Sequence, residues 1–487
     1  MALSIRPPSV LTVEPSGFGF WTGYFFAVNC VVGAGFLSLP WAYENGGWLF
    51  CLLYQIFMTI FSLILSHMVF EIMGRVEVLT RIQELGKDVP QLDFKLLIFG
   101  KSKGEQLIPI TDQEPKITSR RTDLSEIARL LFGEHFGRLY LVILYIYQQG
   151  IQVSYASIFS TSFASNIPLG NLDTCDVYEE AGFYNNCKWK YWIYLLIFGG
   201  FMVYLTLKGM EEQVWFQSCM TFMRFLVMSL VIITSIYDIA TNNSNESDNR
   251  NNIEMPPLIA FEHLGSAIPI VLVAMAFQNS IPTIVQHVTD KETNLRKIAN
   301  ASTLTAFGFY MLLGMLVPVA IDDVPSMSTL SYRNYTAGHE RHNRPWWTYI
   351  IEYIVVIFPA LDVFSSFPIQ AITLADNLCT RYYGNIPKFH MPKRGVRFFR
   401  LLVVIPPLII AFLEYNLGFI LEWTGLLGIL LIPAAIPMMH LAARRLVDGE
   451  SVHDINIVPP MLCVILSVAH VFIAILVVVL NILESTK

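Results

Sequence analysis

Residues Asn29 to Pro40 read NCVVGAGFLSLP, and this stretch decides the class of fold. It lies inside a long apolar segment, yet it contains Gly33 and Gly35 and ends in a proline. Glycine weakens a helix, and lipid offers an unwound main chain no hydrogen-bond partners. Such an interruption survives only where it faces protein or a polar cavity. It indicates either a binding site built from main-chain atoms or a close contact between helices through small residues.

The composition of the chain is that of a membrane protein. Of its 487 residues, 54% are apolar and only 14% are charged, and the mean hydropathy is +0.51. Apolar runs of about 20 residues predict eleven membrane spans in one transmembrane domain, residues 18–487. The predicted spans lie at residues 18–41, 47–73, 138–166, 190–208, 212–238, 263–287, 299–321, 347–378, 398–414, 417–440 and 459–483.

The distribution of Lys and Arg predicts the orientation. With the N-terminus in the cytoplasm, about 24 basic residues fall on the cytoplasmic side and about 7 on the outer side. Residues 1–17 are then a cytoplasmic tail, and the C-terminus is extracellular or lumenal. Residues 74–121 form a cytoplasmic loop, which is polar, has sparse apolar periodicity and is expected to be disordered.

Two covalent modifications are predicted on the outer side. Asn242, Asn245 and Asn334 begin N-x-S/T sequons in predicted outer loops, where glycosylation is possible. Cys175 and Cys187 share the outer loop 167–189, and an oxidising compartment permits a disulfide between them. Two free thiols are the alternative.

The segment TDLSEIARLLFGEHFG predicts a short amphipathic helix after the cytoplasmic loop. Asp123 can cap it, and Glu126 follows three residues later. The apolar stripe of this helix would lie either along the inner membrane surface or against the bundle.

A second interruption is predicted in the sixth span, SAIPIVLVAMAFQNSIPTIVQHV. Its Gln278, Asn279, Ser280 and Pro282 lie at mid-depth, where proline removes a donor and the amides can bind a ligand. Breaks five spans apart are expected when two inverted five-helix repeats each contribute a discontinuous helix to a midplane site. A carboxylate fits such a site, because open N–H groups and the positive end of a half-helix face it.

Charged residues occur at depth in two further spans. Asp362, Ser365 and Ser366 share one helical face and could bind Na⁺ or carry a proton. Arg224 stays protonated and needs a partner, for which Asp362 is the nearest acidic candidate. A purely structural ion pair is the alternative. We interpret four residues near span ends as interfacial: His67, Glu71, Glu422 and Trp423. A gate is the alternative for Glu422 and Trp423.

The run NCVVGAGFLSLPWAYENGGW, the proline-bearing sixth span and EWTGLLGILLIP resemble the amino acid/auxin permease family. FMRF around Arg224 and FPALDVFSSFPIQAITLADN are similar to its orphan transmembrane protein 104-like branch. The resemblance implies an all-α membrane fold of eleven transmembrane helices. It consists of a five-plus-five inverted repeat with discontinuous first and sixth helices, plus an eleventh helix, and it works by alternating access with sodium or proton coupling.

The residues and the resemblance together give two candidate sites. The expected substrate site consists of Asn29, Gly33, Ala34, Gly35, Phe277, Gln278, Asn279 and Ser280. The expected cation site or ion pair consists of Asp362, Ser365, Ser366 and Arg224. A fixed cation at Arg224 departs from the usual sodium-coupled pattern, because it could substitute for the ion.

A secondary active transporter of amino acids or related small carboxylates is therefore the expected function. The alternative is a membrane-embedded amino acid sensor, whose cytosolic partner would bind the loop 74–121. An enzyme is not expected, because HExxH, GxSxG and P-loop motifs are absent from the sequence. We expect a small-molecule substrate, a coupling cation and the lipid bilayer as partners, without cofactor, metal or nucleic acid. The expected location is the plasma membrane or an endolysosomal membrane.

Overall fold

The computed structural model describes fourteen stretches of the chain. They are residues 19–33, 35–84, 115–117, 122–169, 177, 187–208, 214–244, 256–321, 323–333, 335–339, 344–383, 392–447, 452–455 and 458–485, without the side chains of 84, 214–217, 242–244, 286, 365, 380, 484 and 485. Within these stretches the chain is helical and forms no β-sheet.

The described residues form fifteen α-helices in the following order. They are α1 (Phe20–Val31), α2 (Gly35–Gly46), α3 (Trp48–Glu84), α4 (Leu124–Phe132), α5 (Glu134–Asn166), α6 (Lys188–Lys208), α7 (Val214–Ser244), α8 (Leu264–Met275), α9 (Ile281–His287), α10 (Lys291–Ala320), α11 (Trp346–Tyr383), α12 (Lys393–Leu413), α13 (Leu417–Ile429), α14 (Ala435–Leu446) and α15 (Pro460–Ser485). Short 3₁₀ turns lie at Phe261–His263, Gln278–Ser280 and Ser328–Tyr332, and a π-helical turn at Leu430–Ala434 joins α13 to α14.

The number of helices that can cross a membrane is lower than the eleven predicted spans. In the described part of the chain, nine helices are long and apolar enough, or ten if the bent pair α1 and α2 counts as one span. The third predicted span is α5, which is 33 residues long but is not among them. Its buried face carries polar side chains such as Gln149, Gln152 and Ser154, which lower its hydropathy.

The second span is longer than expected. It is predicted to end at residue 73, but α3 continues to Glu84, so the first residues assigned to the cytoplasmic loop are helical. The side chains of Val76 and Leu79 are fully buried there, and packing against the bundle explains the extension. Most of the remaining loop, together with the tail 1–17, lies outside the described residues.

The short amphipathic helix is present and packs on the bundle. Asp123 accepts a hydrogen bond from the main-chain N–H of Glu126 at 3.0 Å and caps α4 as expected. The apolar side chains of Leu124, Ile127 and Leu131 are buried against protein. The apolar stripe of α4 therefore lies against the bundle, which is the second of the two alternatives.

The interfacial interpretation of Glu71 is wrong. Its side chain is fully buried and bonds to Arg75, His440 and Arg444. These partners supply Glu71 with donors inside the protein, so it needs no contact with solvent. His67 is half-buried, and its Nε2 lies 2.9 Å from Asn300 Oδ1.

The predicted modification sites are largely outside the described residues. Asn245, Asn334 and Cys175 are not described, and Asn242 lies in the last turn of α7 without a described side chain. Cys187 is buried at the start of α6. Glycosylation and the disulfide therefore stay predictions.

Candidate functional site

Both predicted helix breaks are present. α1 ends at Val31, Val32 has a non-helical main chain (φ −84°, ψ 73°), and α2 begins at Gly35 with a bend of 46°. In the sixth span α8 ends at Met275, and the chain passes through the non-helical Ala276 before the 3₁₀ turn Gln278–Ser280 and α9. Each break interrupts the i to i−4 hydrogen bonds of its span and exposes main-chain polar atoms to the bundle interior.

The two glycines of the first break have different surroundings. A Cβ atom on Gly35 would lie 2.6 Å from the Cα of Ala274, so α2 and α8 touch through their backbones here. A Cβ atom on Gly33 would lie 3.6 Å from the hydroxyl of Tyr155, an ordinary contact distance. Close helix packing therefore explains Gly35, whereas it does not explain Gly33.

The second break carries amide atoms that lack hydrogen-bond partners in the described structure. Gln278 is fully buried, and its Nε2 donates to the hydroxyl of Ser62 at 2.7 Å, while that hydroxyl donates to the Met275 carbonyl at 2.9 Å. Gln278 Oε1 and Asn279 Nδ2 are buried and have no hydrogen-bond partner in the described structure. Buried polar atoms of this kind are costly unless a ligand or water completes them.

The side chain of Cys30, in the last turn of α1, lies near Ser280 of the second break and near the charge of Arg224. Cys30 itself is half-buried.

The predicted ion pair is present beside the first break. Arg224 and Asp362 are 1% and 4% exposed, and Arg224 Nη2 donates to both carboxylate oxygens of Asp362, at 2.5 and 2.6 Å. Arg224 Nη1 donates to Asn29, to its side-chain oxygen at 3.1 Å and to its main-chain carbonyl at 3.3 Å. The guanidinium therefore joins α7, α11 and the unwound end of α1.

A second main-chain carbonyl of this break is also satisfied by protein. The hydroxyl of Tyr310 donates to the Val31 carbonyl at 3.1 Å, and the Gly33 N–H donates to the same oxygen at 3.0 Å. The carbonyls of Asn29 and Val31 thus both receive donors from the protein itself.

Several site residues were missed by the sequence reasoning. Tyr155, Tyr310 and Thr221 look like ordinary residues of a span, and only the fold brings them to the break. Gln370 donates to the Tyr155 hydroxyl at 3.0 Å. Since it lies eight residues after Asp362, its helical face is that of Asp362, and this spacing could have identified it.

The remaining predicted site residues are less informative. Ala34 and the side chain of Ser365 lie outside the described residues, and Ser366 is half-buried. Phe277 is 2% exposed and lines an apolar cavity of about 10 Å³ with Ala27 and Ile281. That volume holds about one water molecule, far below the roughly 300 to 1,000 Å³ of a ligand pocket.

Comparison with known proteins places this geometry in a family. The profile of the family described as "Transmembrane amino acid transporter protein" matches residues 16–89 and 103–480. The chain belongs to this family. The resemblance seen in the sequence is thereby confirmed.

Similar proteins include orphan members of the same branch. Transmembrane protein 104 of Homo sapiens is 22% identical over 439 residues, 84% of each chain. The Gallus gallus protein of that name is 22% identical over 473 residues, 90% of this chain and 91% of its own. The Drosophila melanogaster homolog is 22% identical over 445 residues, 83% and 84% of the two chains. These names state no substrate.

Proposed function

We propose that this chain is a secondary transporter of amino acids or related small carboxylates, which works by alternating access. The observation that carries the proposal is the pair of helix breaks, with unsatisfied amide atoms on Gln278 and Asn279 in the second of them. A solute with both acceptor and donor groups would complete these atoms. Family membership supports the same conclusion.

The carboxylate of the solute would bind at the start of α2. The first-turn N–H groups of this 12-residue helix have no intrahelical acceptors, and no acidic side chain occupies its first turn. The helix dipole favours an anion at this end. Gly33 lets the chain approach the solute closely, and Asn29, Ala34, Gly35 and the 277–280 segment are the proposed surroundings.

The coupling ion would not be sodium. A sodium ion at this break would need main-chain carbonyls as ligands, but those of Asn29 and Val31 accept from Arg224 and Tyr310. The guanidinium supplies the positive charge that Na⁺ would bring. A proton is the remaining candidate, and Asp362 is the group that would take it.

The described conformation would be closed on the outer side. A Cβ atom on Gly46 would lie 2.6 Å from the side chain of Ala267, so α2 and α8 touch near this glycine as well as at Gly35. With the N-terminus in the cytoplasm, these two half-helices form the outer half of the pathway. We propose this orientation together with the five-plus-five inverted repeat.

The direct test is uptake by purified protein in proteoliposomes. A panel of radiolabelled amino acids is offered with Na⁺ or K⁺ outside, with and without an inward proton gradient. We expect uptake of at least one amino acid that is equal in the two salts and is raised by the proton gradient. Absence of both uptake and binding for the whole panel would refute the proposal, whereas saturable binding without uptake would favour a sensor.

A further inference from the structure

The inner half of span ten is built as a separate arm. Between α13 and α14 the span contains the π-helical turn Leu430–Ala434, which we call the hinge, and Pro433 within it has no N–H to donate. A π-helical turn is wider and weaker than an α-helical one and often lies at functional sites. We call α14, which follows the hinge, the arm.

The far end of the arm is held by one buried carboxylate. Glu71 of α3 accepts hydrogen bonds from Arg444 Nε at 2.5 Å, from the main-chain N–H of Ile455 at 2.9 Å and from Arg75 Nε at 2.9 Å. His440 Nε2 lies 2.9 Å from the same carboxylate. These hydrogen bonds and ion pairs hold the arm against α3.

Two arginines and two carboxylates pair in this fastening. Arg75 and Arg444 face Glu71 and Asp454, with Arg75 Nη2 donating to Asp454 at 2.8 Å. Burial beside Arg296 lowers the pKa of His453 to about 4, so this neighbour adds no charge at neutral pH. Buried ions are tolerated when each one is paired, and separating a pair leaves a buried charge without its counterion.

One hydroxyl connects the hinge with the substrate site. The phenol of Tyr140 on α5 lies 3.3 Å from the Leu431 carbonyl in the hinge and 3.5 Å from Asn279 Oδ1 in the second break. A phenol has a single proton to donate, so it bonds to only one of the two acceptors at a time. A solute whose donor group bonds to Asn279 Oδ1 would compete with the phenol and release it to the hinge.

We propose that Tyr140 is a positioning residue that couples the substrate site to the arm. When its proton bonds to the Leu431 carbonyl, the hinge is tightened; when it bonds to Asn279, the arm is freer to tilt. The meaning of this coupling for transport rests on the proposed function. The coupling itself is a property of the unliganded protein and can be tested without any amino acid.

Hydrogen–deuterium exchange of nanodisc-reconstituted protein tests the coupling, read in peptides that cover residues 430–446. In Tyr140→Phe the hinge loses its donor, and we expect amide exchange there to rise about five-fold, as for one lost hydrogen bond. Tyr147→Phe is the matched control. Its ring packs on Gly428 of the same span, but it makes no hydrogen bond in the described structure.

Asn279→Ala provides a second variant with the opposite expected sign. It removes the competing acceptor, so the phenol should stay on the hinge and exchange in residues 430–446 should slow. The proposal is overturned if Tyr140→Phe leaves exchange unchanged, if Tyr147→Phe raises it equally, or if Asn279→Ala accelerates it. Because no amino acid is added, these results are independent of whether transport is found.

Discussion

Arg224 carries a fixed positive charge far from either end of its helix. A guanidinium remains protonated at physiological pH, and this one uses both Nη atoms on Asp362 and Asn29 while its Nε has no partner in the described structure. Any change of charge in the pair has to occur at Asp362.

Removing the charge of one member of this pair should destabilise the protein much more than removing both charges. In Asp362→Asn the buried guanidinium keeps its charge without a counterion, and we expect a loss of about 3 to 5 kcal/mol in unfolding free energy. In Arg224→Gln with Asp362→Asn no charge is left buried, so most of that loss should be recovered. Thermal unfolding of purified protein measures both. If the double variant were as unstable as the two single losses added, the pair would not be the stabilising unit.

The sequence identifies the charged residues of the candidate site, but it does not identify the hydroxyl groups that bond to the first break. Arg224 and Asp362 stand out because charged residues are rare and costly in a span. Tyr310 does not, because buried tyrosines are common in helical bundles and the donor to Val31 lies 279 positions away in the chain. Glu71 was misread for the same reason, since His440 is 369 positions away.

At the scale of single elements, the two broken helices differ in how they are held. The second half of span one, α2, is buried along most of its length, from Gly35 to Gly46. α1 has only four buried residues, Gly23, Ala27, Val28 and Val31. The break therefore joins a largely buried half-helix to one with fewer buried residues.

The two glycines of the first break should respond differently to alanine. Gly35→Ala places a methyl group 2.6 Å from the Ala274 backbone, and we expect it to cost about 1 to 3 kcal/mol because α2 and α8 must separate. Gly33→Ala meets only the Tyr155 hydroxyl at 3.6 Å, so stability should change little while solute binding weakens. Thermal unfolding with and without the amino acid panel separates the two effects. Equal destabilisation by both substitutions would contradict this assignment.

The sequence predicts where the helices are interrupted, but it does not predict how the helices pack against one another. Glycine and proline mark the two interruptions because they act on the local main chain. The extension of α3 to Glu84 and the docking of α4 depend on surfaces supplied by distant helices.

At the scale of the whole molecule, the proposed pathway is asymmetric. α2 and α8 are packed through small residues on one side of the breaks, while Cys30 and Ser280 at the breaks are half-buried. Under the proposed orientation this packing would close the site toward the outside. The eleven-span count and the inverted repeat remain predictions, since the described helices support nine or ten spans.

The central claim is that an amino acid binds between the two breaks without sodium, and Cys30 reports on this point directly. Its alkylation by N-ethylmaleimide is measured in Cys219→Ser protein, since Cys219 is half-buried and Cys51, Cys379 and Cys463 are buried. Cys30→Ser protein, which retains Cys219, is the control for indirect effects of the solute. We predict that at least one amino acid slows alkylation of Cys30 to the same extent in Na⁺ and in K⁺ and leaves Cys219 unaffected. Protection by no amino acid, or protection that requires Na⁺, would contradict the account.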